Sequence, residues 1–312
     1  MSGPYTQPLV YFFGQGRADG TAGMKDVLGG KGAGLAEMTT IGIPVPPGFT
    51  IASSLCLSYL DSHQFPKRLQ VQVENALHRI EAATGKHFGD GGNPLLVSVR
   101  SGAAVSMPGM METILNLGLN DVTVEGLTRQ SRNPQFAWDS YRRFVQMYGS
   151  VVFDLSRKPF EQILEEHRHR CKVERDIDLS VDELQAIVRE FKQHVRQETG
   201  REFPEDPLDQ LWGAISAVFE SWNTRRAIDY RKLHDIPDSM RHARSRPGSP
   251  SGWPTRAYWR WRCSWPTAGG CSSTRWRPGR TTVGTTRWTR VRWTSSSNSS
   301  GRCANCRSVS RA

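Results

Sequence analysis

Two short stretches carry the residues best suited to chemistry. In "LGGKGAGLAEM" (28–38), Gly29 and Gly30 precede Lys31, and Gly32, Ala33 and Gly34 follow as a helix starts. Glycines let the backbone come close to a polyanion, and a helix N-terminus offers N–H groups that its own turns leave free. The Lys31 ammonium would pair with a phosphate placed there. This is not the P-loop pattern, because no Ser or Thr follows the lysine and the glycine spacing differs. In "LLVSVRSGAAVSMPGMMET" (95–113), an apolar strand delivers Arg100 into a loop containing Ser101, Gly102, Ser106 and Gly109. A guanidinium offers phosphate a bidentate fork, and small residues leave room for a ligand. Each stretch taken alone also fits a plainer account. The first would be a glycine-rich turn with a solvated lysine. The second would be a surface salt bridge at a strand end, with Met107, Met110 and Met111 packing in a core.

The elements that must position these residues follow from periodicity. "QPLVYFFG" (7–14) reads as a strand, and "IPVPPGFTI" (43–51) is held extended by three prolines in four residues. The helix after the glycines carries Leu35 and Met38 on one side and stops at Gly42. "PKRLQVQVENALHRIEAATG" (66–85) places Leu69, Val73, Leu77 and Ile80 on one helical face before Gly85. "NPLLVSVRSG" (93–102) reads as a buried strand.

From about 121 to 199 the pattern is helical. Tyr141, Phe144, Val145, Tyr148 and Val152 form one stripe, and Leu184, Ile187, Val188, Phe191 and Val195 form another. The second stripe follows a Ser180…Glu183 capping box. A further helix is expected at 206–222, and "TRRAIDYRKLHDI" either extends it or adds one more. "HRHR" (167–170) sets His167 and His169 two residues apart, pointing away from each other on a helix, so it predicts no metal site. Glu165 and Glu166 read as part of a solvated face. The layout is α/β (α+β): an α/β unit over 1–112, a helical insert over 113–199, and helices over 200–240 that return to the first unit.

The net charge of +11 suggests an acidic partner, but the average misleads. Arg241–Ala312 holds 15 of the 41 basic residues, all of them Arg, and none of the 30 acidic ones. Met1–Met240 is left with 26 basic against 30 acidic residues, a net charge of −4. The last 72 residues contain no Leu, Ile, Phe or Met, yet hold seven of the ten Trp and four of the six Cys. Such a composition cannot bury enough apolar surface to offset chain entropy, so 241–312 is expected to be disordered.

Three accounts compete for that tail. Arg interleaved with Trp, as in "YWRWRCSW", could bind nucleic acid, but the absence of Lys and the character of the body disfavour it. Cys263, Cys271, Cys303 and Cys306 could form a zinc module, but the first pair is spaced too widely. Translation in a shifted frame of a GC-rich gene fits best, since it enriches Arg, Gly, Pro, Ala, Trp, Cys and Ser. No apolar run is long enough to span a membrane, and the N-terminus lacks a secretory pattern. Cys56 and Cys171 alone in the body argue for a reducing compartment, the cytoplasm by default.

The two chemical stretches occur within a longer series. "GMKDVLGGKGAGLAEM", "GIPVPPGFTI", "NPLLVSVRSGA", "SMPGMMETILNLGLND", "DSYRRFVQMY" and "RRAIDYRKLHDIP" run in this order through residues 10–237. Together they resemble the N-terminal nucleotide-binding part of pyruvate, phosphate dikinases. "SMPGMM" looks more like this family than like the related phosphoenolpyruvate synthases. The resemblance implies an ATP-grasp fold that binds MgATP and phosphorylates a histidine on a swivelling domain. From there a barrel passes the phosphoryl group to pyruvate, with phosphate as co-substrate.

On this resemblance, Lys31 and Arg100 take the family's ATP-phosphate positions, with Gly29, Gly30 and Gly32 as phosphate-loop glycines. Ser101, Gly102 and the 106–111 loop are looser carry-overs. The family's Mg²⁺ ligands, its phosphohistidine domain and its pyruvate barrel would lie in parts this chain lacks. The expectation is an incomplete ATP-grasp fragment with weak ATP binding at best and no dikinase turnover. Pyruvate and phosphate would be partners only of the intact, typically homo-oligomeric, enzyme.

Overall fold

The computed structural model describes residues 8–236, except 104 and 106. The expectations for the tail, for the Cys263, Cys271, Cys303 and Cys306 set, and for Ser106 lie outside the described residues. The fold is mixed helix with small sheets, in agreement with an α+β reading.

Strand β1 (Val10–Gly14) is buried along its whole length and forms the middle of a three-stranded antiparallel sheet. Strand β2 (Arg17–Ala18) flanks it on one side and β3 (Gly48–Ile51) on the other, with Val10 opposite Ile51 and Phe13 opposite Gly48. Helix α1 (Lys25–Thr40) packs on all three strands. It begins before the glycines rather than after them, and it is broken at Gly29, whose backbone is non-helical. Its buried face is Leu28, Gly32, Ala33, Ala36 and Thr39, whereas Leu35 and Met38 are only half-buried. Small residues win that face because helix and sheet approach closely: a Cβ on Gly32 would stand 2.8 Å from the Thr50 methyl.

Helix α2 (Ser54–Ser62) was not expected from the sequence. Helix α3 (Lys67–Thr84) buries Leu69, Val73, Leu77 and Ile80 as its stripe requires, and Gly85 closes it in the left-handed conformation. Next comes a parallel pair of two-residue strands, β4 (His87–Phe88) and β5 (Pro94–Leu95).

The buried strand expected over 93–102 is two strands. After a break at Leu96, β6 (Val97–Arg100) alternates, with Val97 and Val99 against the core and Ser98 and Arg100 exposed. Its antiparallel partner is β7 (Thr113–Leu117), with Arg100 opposite Thr113. The boundary at 112/113 therefore falls inside a strand pair, because 113–117 satisfies the backbone of β6. The helices begin ten residues later.

Those helices are α4 (Thr123–Ser131), α5 (Pro134–Val151), α6 (Arg157–Cys171) and α7 (Val181–Thr199), followed by α8 (Pro207–Glu220) and α9 (Arg225–Leu233). Tyr141, Phe144, Val145 and Tyr148 of α5 and all five apolar residues of the α7 stripe are buried, while Val152 is half-buried. Only half of the capping box forms. Ser180 Oγ accepts from the Glu183 N–H at 3.3 Å, but the Glu183 carboxylate turns to His167 Nδ1 at 2.5 Å and to Arg170 at 2.9 Å. These partners hold the Glu183 carboxyl below the usual carboxylate range, His167 contributing most. His167 is buried between Glu183 and Glu190 and joins α6 to α7, so it serves packing.

Helix α8 packs against β6, β7, α2 and α5. One core cluster accordingly runs from Val10 through Leu69, Ile114 and Phe144 to Val218. Cys56 and Cys171 are free thiols, and burial pushes Cys56 up to about 12. Among the described residues no helix is long and apolar enough to cross a membrane.

Candidate phosphate-binding cradle

The glycine-rich segment and the end of β6 meet backbone to backbone. Gly29 has φ +69° and ψ 172°, a conformation open essentially to glycine alone. A Cβ there would lie 1.2 Å from the Gly102 carbonyl oxygen. The next residue, Gly30, donates its N–H to the Ala103 carbonyl at 3.2 Å. Lys31 then sends its Nζ to the Ser101 carbonyl at 3.1 Å. Three successive residues, 29 to 31, thus contact three successive residues, 101 to 103. The first half of α1 is itself moored to the start of α2: Ser53, at the N-cap of α2, donates its N–H to the Val27 carbonyl at 2.8 Å and its hydroxyl to the Asp26 carbonyl at 2.6 Å.

This junction brings the two candidate cations into one electrostatic environment. Partial burial of the ammonium holds the Lys31 pKa below its usual value, and the Arg100 charge adds to the effect. Arg100 stands exposed at the end of β6, on the side that β6 turns away from the core. Two like charges gathered beside a glycine-lined backbone favour an anionic ligand, because a polyanion removes both the repulsion and part of the desolvation cost.

The expected site residues do not all sit alike. Gly29 and Gly30 touch the 101–103 segment, whereas Gly32 is buried against Thr50 and packs the helix onto the sheet. Ser101 is buried, and it meets Lys31 through its carbonyl rather than its hydroxyl. Gly102 provides the close approach to Gly29 and Leu28. Met107 is buried, while Met110 and Met111 are half-buried beside the Gly109 turn. Ala103 was not anticipated; its role is a backbone carbonyl, and no side-chain type signals that. Among the described residues no group of three or more His, Cys, Asp or Glu could hold a metal ion.

Comparison with known proteins identifies the family. The family profile described as "Pyruvate phosphate dikinase, AMP/ATP-binding domain" matches residues 25–70 and 58–243. The match therefore contains Lys31 and Arg100 and ends within a few residues of the composition break at Met240. The pyruvate, phosphate dikinase of Rhizobium meliloti (strain 1021) is 52% identical over 229 residues, covering 73% of this chain and 26% of the relative. That of Clostridium symbiosum is 50% identical over 221 residues, covering 70% and 25%. The chloroplastic pyruvate, phosphate dikinase of Mesembryanthemum crystallinum is 47% identical over 228 residues, covering 73% and 24%. The chain thus spans about a quarter of the length of these curated relatives. A family match over residues 25–70 and 58–243, together with relatives about half identical over this stretch, places the chain in the pyruvate, phosphate dikinase family through its AMP/ATP-binding domain.

Proposed function

We propose that residues 8–236 form part of an ATP-grasp nucleotide-binding domain whose Lys31–Arg100 cradle receives the polyphosphate of ATP. The observation that carries this reading is the stepwise contact of 29–31 with 101–103, which gathers both cations at one place. Phosphoryl transfer needs charge neutralisation and alignment more than covalent chemistry, so cationic clamps of this kind are the expected equipment. Lys31 would take one phosphate as a point charge, and Arg100 would hold another through its planar fork.

In an intact dikinase the cradle would serve conversion of ATP, pyruvate and phosphate to AMP, phosphoenolpyruvate and diphosphate through a phosphohistidine. When bound, Mg²⁺ supplies further neutralisation of the polyphosphate. We assign to this chain ATP binding without dikinase turnover. We also retain the division into an α/β subdomain, a helical insert and returning helices, with β7 assigned to the first, and a cytoplasmic location. The shifted-frame account of 241–312 is favoured by its composition and by the end of the family match at 243. Translating the other two frames of the gene should recover acid-containing, apolar, family-like sequence after Met240. If neither does, that account is wrong.

Calorimetric titration with MgATP tests the cradle. Lys31→Ala is expected to weaken binding by about 10- to 100-fold, the worth of a charge-assisted hydrogen bond. Unchanged affinity would refute the assignment. A pH series gives a second check. Because Lys31 releases its proton below the ordinary lysine value of 10.5, MgATP affinity should fall as pH rises toward that value, with proton uptake on binding. Lys31→Arg, which keeps its charge throughout, should flatten the alkaline decline.

A further inference from the structure

Arg100 owes its place to β7, and the start of β7 is tied to the far end of the chain. Thr113 is the register partner of Arg100, and Glu112 immediately precedes it. Glu112 is held twice. Its N–H donates to Ser221 Oγ at 3.3 Å, and its carboxylate oxygen Oε1 accepts from the Arg226 guanidinium. Ser221 lies at the end of α8, is buried, and donates its hydroxyl to the Val218 carbonyl at 2.7 Å, which fixes its lone pairs toward Glu112. Met111 Sδ lies 3.8 Å from the same hydroxyl. Arg226 sits in the first turn of α9, and Thr224 ties that turn back to the Ser221 carbonyl at 2.9 Å.

The pairing is unusual for a surface contact. The Glu112 side chain is about three-quarters covered, with 26% exposure against 48% for Arg226. A partly covered ion pair that also fixes a backbone N–H orients a chain segment, whereas an exposed pair does little. The segment so oriented is the one that faces Arg100 across the ladder.

We propose that Ser221 and Arg226 are positioning residues for the phosphate cradle, acting through Glu112 and Thr113 to fix Arg100. The inference rests on the reading of the cradle as an ATP site, but its structural half can be tested without nucleotide. With the contact intact, the end of β6 is held at the height at which Lys31 meets the Ser101 carbonyl. With it broken, β7 frays from its first residue and Arg100 loses its backing.

The test uses the full chain and its Arg226→Ala, Arg226→Lys and Ser221→Ala variants. Amide hydrogen exchange should speed up at Glu112, Thr113, Val99 and Arg100 in Arg226→Ala, while α5 and α7 stay protected. MgATP affinity should fall about tenfold in Arg226→Ala, as for a misplaced charge-assisted contact, and Arg226→Lys should recover most of it. Ser221→Ala should speed exchange at Glu112 in the same way. If exchange at 99–100 and 112–113 is unchanged in Arg226→Ala, the positioning role is refuted. It is equally refuted if exchange rises there while affinity holds. If the unaltered chain binds no MgATP, the ATP reading fails, and the exchange result alone decides the positioning.

Discussion

Gly29→Ala should abolish measurable MgATP binding, weakening it more than 100-fold, and should lower the melting temperature by about 5–10 °C. Two costs add. An alanine held at φ +69° and ψ 172° is strained by about 1–3 kcal/mol. The new methyl would also overlap the Gly102 carbonyl, 1.2 Å from its Cβ, so the 101–103 segment must leave. At about 2–4 °C per kcal/mol for a body of this size, a loss near 3 kcal/mol accounts for the thermal shift. The loss of binding follows because the displaced segment carries the carbonyl that holds Lys31 and lies next to Arg100. Gly34→Ala is the control. A Cβ there meets nothing within 4 Å, so that change should be neutral or stabilise the helix by about 0.5–1 kcal/mol. Parallel melting curves and titrations decide the matter. If Gly29→Ala binds as the parent does, the backbone junction is not what makes the site.

The second large effect is far from the cradle. Gln210 is fully buried, and its amide satisfies three backbone groups at once. Oε1 accepts from the Gly118 N–H at 2.9 Å, and Nε2 donates to the Leu119 carbonyl at 2.9 Å and the Pro204 carbonyl at 2.8 Å. Gln210→Ala strands all three and opens a cavity. An orphaned buried group costs about 1–3 kcal/mol, and entering water relieves part of it, so the net loss should be about 3–5 kcal/mol. A urea midpoint shifted by that amount at unchanged slope is the expected result. Arg225→Ala, which breaks an exposed pair with Asp229 within α9, should shift the midpoint by no more than about 0.5 kcal/mol. If the two variants were alike, the Gln210 amide would not be what joins α8 to the turn after β7.

The parts of this molecule legible in its sequence are those written by long periodic stripes. Leu69, Val73, Leu77 and Ile80 of α3 and the five apolar residues of α7 identify their buried faces because eighteen or nineteen residues average over local noise. Helix α2 has nine residues, two buried, and leaves no comparable stripe. The two-residue strands β2, β4 and β5 exist through what pairs with them, a tertiary fact. Glu183 shows the same limit. Its spacing from Ser180 promises a reciprocal cap, but His167, sixteen residues upstream, offers the carboxylate a better partner.

The site divides along similar lines. Lys31 and Arg100 are candidates by residue type and small neighbours, but each alone fits a solvated lysine or a surface salt bridge equally well, and only the longer series of motifs singles them out. Their meeting does not stand out, because it is made by Gly29 against Gly102 and by the carbonyls of Ser101 and Ala103. A sequence specifies side chains, and here the backbone does the joining.

Helix α8 carries one more consequence, for the order in which the protein is made. Every residue of the cradle has left the ribosome once position 103 emerges. The surface that α8 supplies behind β6 and β7 follows about a hundred residues later. Its ties back to the early chain are long, such as Tyr59 Oη to Glu220 Oε1 at 3.0 Å across 161 residues. During that interval Val97, Val99, Ile114 and Leu117 wait without their cover. Synthesis therefore passes through a stage in which the candidate cradle is written but not yet supported. The nascent chain is most exposed to misassociation then.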